Sequence, residues 1–126
     1  MNISKIVHNL RAHKVILAAG SKRIHSILTE ENCDIIEIPE FVGQKFDKKL
    51  QDESISIILN YLYHNQEYGK IKPEINSKNC FAILKYSNYL KICPLIENIK
   101  TFIRSEHLNK DNCVRTLSEL LQVMIY

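Results

Sequence analysis

The stretch LRAHKVILAAGSKRIHSIL, residues 10–28, carries the clearest structural signal in this chain. Positively charged residues precede an apolar run at residues 15–19, which stops at Gly20, a residue typical of helix C-termini. Ser21 is a good N-cap for a following helix, whose apolar residues recur at helical spacing. The stretch therefore predicts two helices joined by a tight turn. Because residues 15–19 are apolar on nearly every side, the first helix needs cover from other layers of the domain or from another molecule.

Length and composition narrow the class of protein. The chain has 126 residues, 45% of them hydrophobic and 25% charged, which predicts one globular domain with a single core. A net charge of +3 is too small to indicate nucleic-acid binding, for which a strong basic stripe is expected. The longest apolar run, residues 15–19, is far shorter than the ~20 residues that span a bilayer, so no membrane partner is expected.

Cysteine usage predicts the compartment. The four cysteines are scattered and form no C-x-x-C pair. Reduced thiols in an intracellular protein, cytoplasmic or nuclear, are therefore the expected state. The positions are Cys33, Cys80, Cys93 and Cys113.

Periodicity along the rest of the chain predicts an α+β domain. Short strands are expected at residues 2–7, 10–12 and 35–38, with a possible further strand at residues 68–71. These patterns predict a small mixed sheet of about three strands flanked by five to six helices. Later helices are expected to begin at Asp52 or Ser54, at Asn76 or Ser77, at Pro94 and near Lys110. Five leucines are predicted to lie in the core: Leu17, Leu59, Leu62, Leu84 and Leu90.

No catalytic, cofactor or metal site is predicted. His8, His13 and Cys33 do not fall at the spacing of metal ligands. Gly20-Ser21 lacks the G-x-S-x-G turn of a hydrolase, and three glycines in the whole chain leave no glycine-rich phosphate loop. His13, at the start of the first helix, is predicted to be a structural anchor, because a neutral imidazole can both donate and accept a hydrogen bond. The chain is therefore not expected to be an enzyme.

Three blocks of sequence resemble the BTB/POZ domain. The first has Leu10, then A-H-K at residues 12–14, an apolar helix at residues 15–19 and Ser21. The second is ISIILNYLYHN, and the third is CFAILKYSNYLKICPLIENIKTFI. The resemblance implies the BTB/POZ fold for residues 1–108, with residues 109–126 resembling the start of a BTB-associated helical extension. The chain departs from the family at Arg23-Ile24, where a tyrosine–phenylalanine pair is usual, and at Ser87, where alanine is usual.

The resemblance also implies a function. BTB domains are non-enzymatic protein-interaction modules that form homodimers, recruit cullin ubiquitin ligases, or do both. The implied homodimer interface comprises Val15, Ile16, Ala19 and Arg23. The implied cullin-type partner surface comprises Tyr61, Tyr63, His64 and Tyr68, with part of the helix at residues 95–103. Two alternatives stay open. One is a scaffold protein without a ligase role. The other is a monomeric adaptor similar to elongin C, which the connector at residues 63–77 resembles.

Overall fold

The computed structural model describes residues 2–5, 8–11, 14–30, 35–38, 47–109 and 111–124, with side chains for residues 17–27, 29, 47–109 and 111–121. Three strands are described: β1 (Asn2–Lys5), β2 (His8–Arg11) and β3 (Ile35–Ile38). They pair through their backbones in the order β2-β1-β3. Strand β1 runs antiparallel to β2 and parallel to β3.

The helices of the described residues make up most of the chain. They are α1 (Lys14–Gly20), α2 (Lys22–Glu30), α3 (Lys48–Tyr63), α4 (Tyr68–Ile71), a 3₁₀ helix (Lys72–Glu74), α5 (Cys80–Leu90), α6 (Cys93–Phe102), a π-helix (Ile103–His107) and α7 (Cys113–Met124). Helix α5 packs against α3, α6 and α7. Helices α1 and α2 form a hairpin that packs on α3 and α5. None of the helices so described is long and apolar enough to cross a membrane.

The predicted fold class, an α+β domain with helices flanking a three-stranded sheet, is wrong for the part of the chain whose side chains are described. Every regular element in that part is helical, and its core is made by helices packing on helices. The physical reason is the supply of apolar surface. Strands of four residues each offer few side chains to bury, whereas α3 and α5 carry apolar residues over several turns.

Two local predictions also need correction. Residues 68–71 form a helix, α4, rather than a strand. Helix α3 begins at Lys48, earlier than predicted, because the Asp47 carboxylate accepts a hydrogen bond from the Leu50 N–H at 2.7 Å and so caps the helix. The first turn of α3 is mostly polar, so the start of the helix cannot be recognised from its apolar residues alone.

The core prediction is largely confirmed. Leu17, Leu62, Leu84 and Leu90 are buried, whereas Leu59 is only half-buried and packs against the core from outside. Gly20 lies so close to Leu62 that an added Cβ would overlap the Cδ2 atom of that leucine. The turn between α1 and α2 therefore requires glycine for close approach, which allows the hairpin to rest directly on α3.

Candidate functional site: the interaction surfaces

Ser21 holds the turn between α1 and α2 in place. Its hydroxyl donates a hydrogen bond to the Leu90 carbonyl at 2.5 Å and accepts one from the Ile24 N–H at 3.2 Å. The second bond caps α2, as the sequence predicts, and the first ties the hairpin to the end of α5. A buried hydroxyl satisfied on both sides fixes the hairpin against the helical core.

The predicted homodimer residues are described to different extents. Ala19 is exposed at the end of α1, and Arg23 is half-buried in the first turn of α2. The side chains of Val15 and Ile16 lie outside the described residues, although their backbone belongs to α1, and the predicted anchor His13 also lies outside them. The structure thus places Ala19 and Arg23 on the two sides of the Ser21 turn.

Arg23 has an aromatic partner within the chain. Its guanidinium carbon lies 4.5 Å from the centre of the Tyr89 ring, in a cation–π arrangement across α2 and α5. Among the described residues, its buried Nε has no hydrogen-bond partner. Sequence reasoning missed Tyr89, because the two residues are far apart in the chain and no periodic pattern pairs them.

The predicted partner surface loses one residue. Tyr61 is only 1% exposed, and burial raises the pKa of its hydroxyl, so it belongs to the core and not to a docking surface. Its position on the inward face of α3 explains this: Ile58 and Leu62 are buried beside it. The resemblance implied one surface for both Tyr61 and Tyr63, but residues two apart on a helix point in different directions.

The remaining three residues surround the end of α3. Tyr63 is half-buried, and His64 is exposed at the C-cap, where its Nδ1 lies 2.7 Å from the Asn60 carbonyl oxygen. The chain then turns sharply through two residues of positive φ, Asn65 and Gln66, and enters α4 at Tyr68. Tyr68 is half-buried, and burial first and the Glu106 carboxylate second raise its pKa. The turn packs α4 against α3, so Tyr63 and Tyr68 lie on two helices in contact.

The helix after Pro94 contributes little to that surface. Leu95, Ile99 and Phe102 of α6 are buried, as is Ile103 at the start of the π-helix. These apolar residues form the inner side of α6, which packs on α5. The residues between them keep part of their surface accessible; they are Ile96, Glu97, Asn98, Lys100 and Thr101.

Comparison with known proteins identifies the family. The sequence model of the BTB/POZ domain matches residues 4–107, which is most of the chain. The chain belongs to the BTB/POZ family. BTB domains are a family of non-enzymatic modules, and membership implies protein–protein interaction as the general role of this domain. Among the described residues, no group of three or more histidines, cysteines and carboxylates could hold a metal ion.

Similar proteins come from poxviruses. This BTB domain is 28% identical over 114 residues to a "Kelch repeat and BTB domain-containing protein 2" of ectromelia virus (strain Moscow), covering 90% of the chain and 18% of that protein. It is 30% identical over 102 residues to the protein of the same name from horsepox virus, covering 81% of the chain and 16% of that protein. The chain therefore spans less than a fifth of the length of these relatives.

Proposed function

We propose that this BTB domain forms a homodimer through the α1–α2 hairpin and recruits a cullin-type ubiquitin ligase through the surface at the end of α3. The observation that carries the proposal is the geometry of the hairpin. Ser21 fixes its turn against Leu90, and Ala19 is left exposed beside the half-buried Arg23. A small apolar side chain on a rigid turn can approach its symmetry-related copy closely, and a two-fold interface uses the same patch twice.

The cullin part of the proposal has separate support. Tyr63, His64 and Tyr68 lie near one another in the chain at the α3–α4 turn and keep part of their surface accessible. Partly exposed aromatic side chains are favoured anchors in protein interfaces, because they bury large area at modest cost in conformational entropy. The names of the relatives join a BTB domain to Kelch repeats, an arrangement that fits an adaptor with a separate recognition region.

Size-exclusion chromatography with light scattering tests the homodimer. The parent chain is expected to have the mass of a dimer at high micromolar concentration, and Ala19→Glu is expected to have the mass of a monomer. The substitution places two carboxylates against each other across the two-fold axis, where like charges repel. Ser56→Glu, at an exposed position on α3, is the matched control and should remain dimeric. A monomeric parent would reject the homodimer and favour the adaptor that resembles elongin C.

A pull-down against a panel of cullin amino-terminal domains tests the second surface. Binding by the parent is expected to fall about tenfold or more in Tyr68→Ala and in Tyr63→Ala, as for interface anchors. Lys70→Ala, exposed on α4 beside Tyr68, is the control and should bind as the parent does. Each variant is first checked for the parent circular dichroism spectrum and a single cooperative unfolding transition, because Tyr63 and Tyr68 also pack against the core. Absence of binding by the parent would favour a scaffold without a ligase role.

A further inference from the structure

A cavity lies where the α1–α2 turn meets the loop between α5 and α6. Its volume is about 540 Å³, within the ~300–1,000 Å³ range of protein ligand sites. The polar residues that line it come from three segments of the chain, and none of those described is an aspartate or a glutamate. They are Lys22, His25, Ser26, Gln66, Lys91 and Cys93.

Backbone hydrogen bonds bring the two lysines of the cavity together. The Lys22 N–H lies 3.4 Å from the Lys91 carbonyl oxygen, at the point where the hairpin meets the end of α5. Lys91 is the left-handed C-cap of α5, and its own N–H donates to the Asn88 carbonyl at 3.3 Å. This contact places both lysines in the wall of one cavity, where their charges add to a positive potential.

The positive charge is not neutralised within the described part of the chain. The ion pairs described there use Lys70, Lys72, Lys100 and Arg115, and neither Lys22 nor Lys91 takes part in one. Both lysines line the same cavity, so an anionic group bound there is attracted by both charges. A histidine on the same wall adds a further donor for an anionic group.

The start of α6 adds to the same field. This helix of 10 residues opens at Cys93 and Pro94, both in the cavity wall, and has neither a side-chain cap nor an acidic residue in its first turn. The partial positive charge of a helix N-terminus favours a nearby anion. This partial charge adds to the positive charges of Lys22 and Lys91, which carry the proposed binding.

We propose that this cavity binds an acidic segment of a partner protein, through the carboxylates of successive aspartate or glutamate side chains. The size of the cavity favours a peptide segment over a single inorganic ion, and the absence of acidic residues among its described lining favours carboxylates over a basic or neutral peptide. The inference rests on the proposed role of the domain in binding proteins and requires neither the homodimer nor the cullin surface. Ala19 lines this cavity as well as the proposed dimer patch, so the acidic segment and a second copy of the chain compete for this face.

Fluorescence anisotropy with a labelled oligoglutamate peptide tests the proposal on the full chain. The parent is expected to bind this peptide and not its oligoglutamine counterpart. The double variant Lys22→Glu/Lys91→Glu is expected to bind at least about tenfold more weakly, as the loss of charge-assisted contacts implies. The control is Lys48→Glu/Lys78→Glu, which changes two exposed lysines outside the cavity and gives the same net charge. It should stay within about twofold of the parent, since distant exposed charges are screened by salt.

Thiol labelling maps the binding position in the same samples. Neutral iodoacetamide is expected to modify Cys93 more slowly when the oligoglutamate peptide is bound, because Cys93 lines the cavity. The exposed Cys113, outside the cavity, is the internal control and should react at an unchanged rate. Slower labelling of Cys93 alone supports the assignment.

Four results would overturn the proposal: no binding of oligoglutamate, equal binding of oligoglutamine, equal loss in the two double variants, or equal protection of the two cysteines. Light scattering on the same samples separates this proposal from the homodimer. A monomeric chain that binds the acidic peptide through Lys22 and Lys91 keeps the cavity assignment and rejects self-association. A dimer that does not bind the peptide supports self-association and rejects the cavity assignment.

Discussion

Helices α5 and α7 have the same motif at their N-terminal ends but differ in how deeply they are buried. Each is preceded by the pattern N-x-x-N-C, starting at Asn76 and at Asn109. In both, the first asparagine N–H donates to the side chain of the second at 2.8 Å, and the second N–H donates back to the side chain of the first at 3.0 Å. This reciprocal pair is a capping box built from two asparagines.

The environments of the two helices then differ. Every residue from the first, Cys80, through Ser87 of α5 is buried. In α7, Thr116 is buried, but the apolar residues Val114, Leu117 and Leu121 are 79%, 60% and 58% exposed. The comparison teaches that a local motif decides where a helix begins, whereas its burial depends on what the rest of the chain places around it.

Matched leucine truncations should separate the two helices most strongly. Leu84→Ala in α5 is expected to lower the free energy of unfolding by ~2–5 kcal/mol, because it removes a fully buried side chain and leaves a cavity. Leu117→Ala in α7 is expected to change it by ~0.5 kcal/mol or less, as for a surface substitution. Urea titration followed by circular dichroism measures both. Equal losses in the two variants would show that the outer face of α7 is covered in solution.

The next largest difference is expected in the thiol reactivity of the first residues of the two helices, Cys80 and Cys113. Burial raises the pKa of the Cys80 thiol from 9.0 to about 12, whereas Cys113 is exposed. Site-resolved alkylation at pH 9 in native buffer should therefore modify Cys80 at least ~100-fold more slowly than Cys113, because the thiolate is the reactive form. In concentrated guanidinium chloride the two rates should become similar. Comparable rates in native buffer would contradict the buried start of α5.

The same shift gives a pH dependence with a definite sign. The unfolded chain loses the Cys80 proton near pH 9.0, while the folded chain keeps it until about pH 12. Over this window the unfolded state binds fewer protons than the folded state, so the contribution of Cys80 to stability is present below pH 9.0 and is lost as the pH rises. Cys80→Ala should therefore show a shallower loss of stability on the alkaline side than the parent.

The parts of the fold that sequence predicts well are those fixed by near neighbours in the chain. Gly20 and Ser21 mark the helix hairpin: Ser21 caps α2 as predicted, whereas Gly20 is the last residue of α1 and is needed for its closeness to Leu62, not as a left-handed cap. The burial of Leu84 follows from the apolar stripe of α5. In each of these cases, residues within a turn or two decide the outcome.

The parts that sequence predicts poorly depend on distant contacts. Tyr61 and Tyr63 look alike in the sequence, but only the packing of α3 decides which of them is buried. The apolar residues Val114, Leu117 and Leu121 recur at helical spacing in α7 and predict burial, although each is more than half exposed. The basic cavity joins Lys22 to Lys91 through a contact between two turns that no local pattern announces.

The smallest expected changes in stability concern two buried hydroxyls, one in α5 and one in α7. Ser87 in α5 and Thr116 in α7 are both buried, and within the described residues neither hydroxyl has a hydrogen-bond partner. Burying a polar group without a partner costs free energy, so its removal should be favourable. Ser87→Ala restores the residue usual in the family at this position and is expected to stabilise the fold by ~0.5–1.5 kcal/mol, part of it from the higher helix propensity of alanine.

Thr116→Val tests whether α7 docks through its inner face. The two side chains have the same branched shape, so helix propensity barely changes, and a gain of ~0.5 kcal/mol or more is expected if Thr116 is buried in solution. Ser118→Ala, at an exposed position on the same helix, measures the propensity gain alone and is subtracted from the Ser87 value. Thermal and urea unfolding measure all three variants. A gain at Ser87 with none at Thr116 would mean that α5 is as buried as described while α7 is detached from it, and a loss at Ser87 would mean that its hydroxyl is hydrogen-bonded.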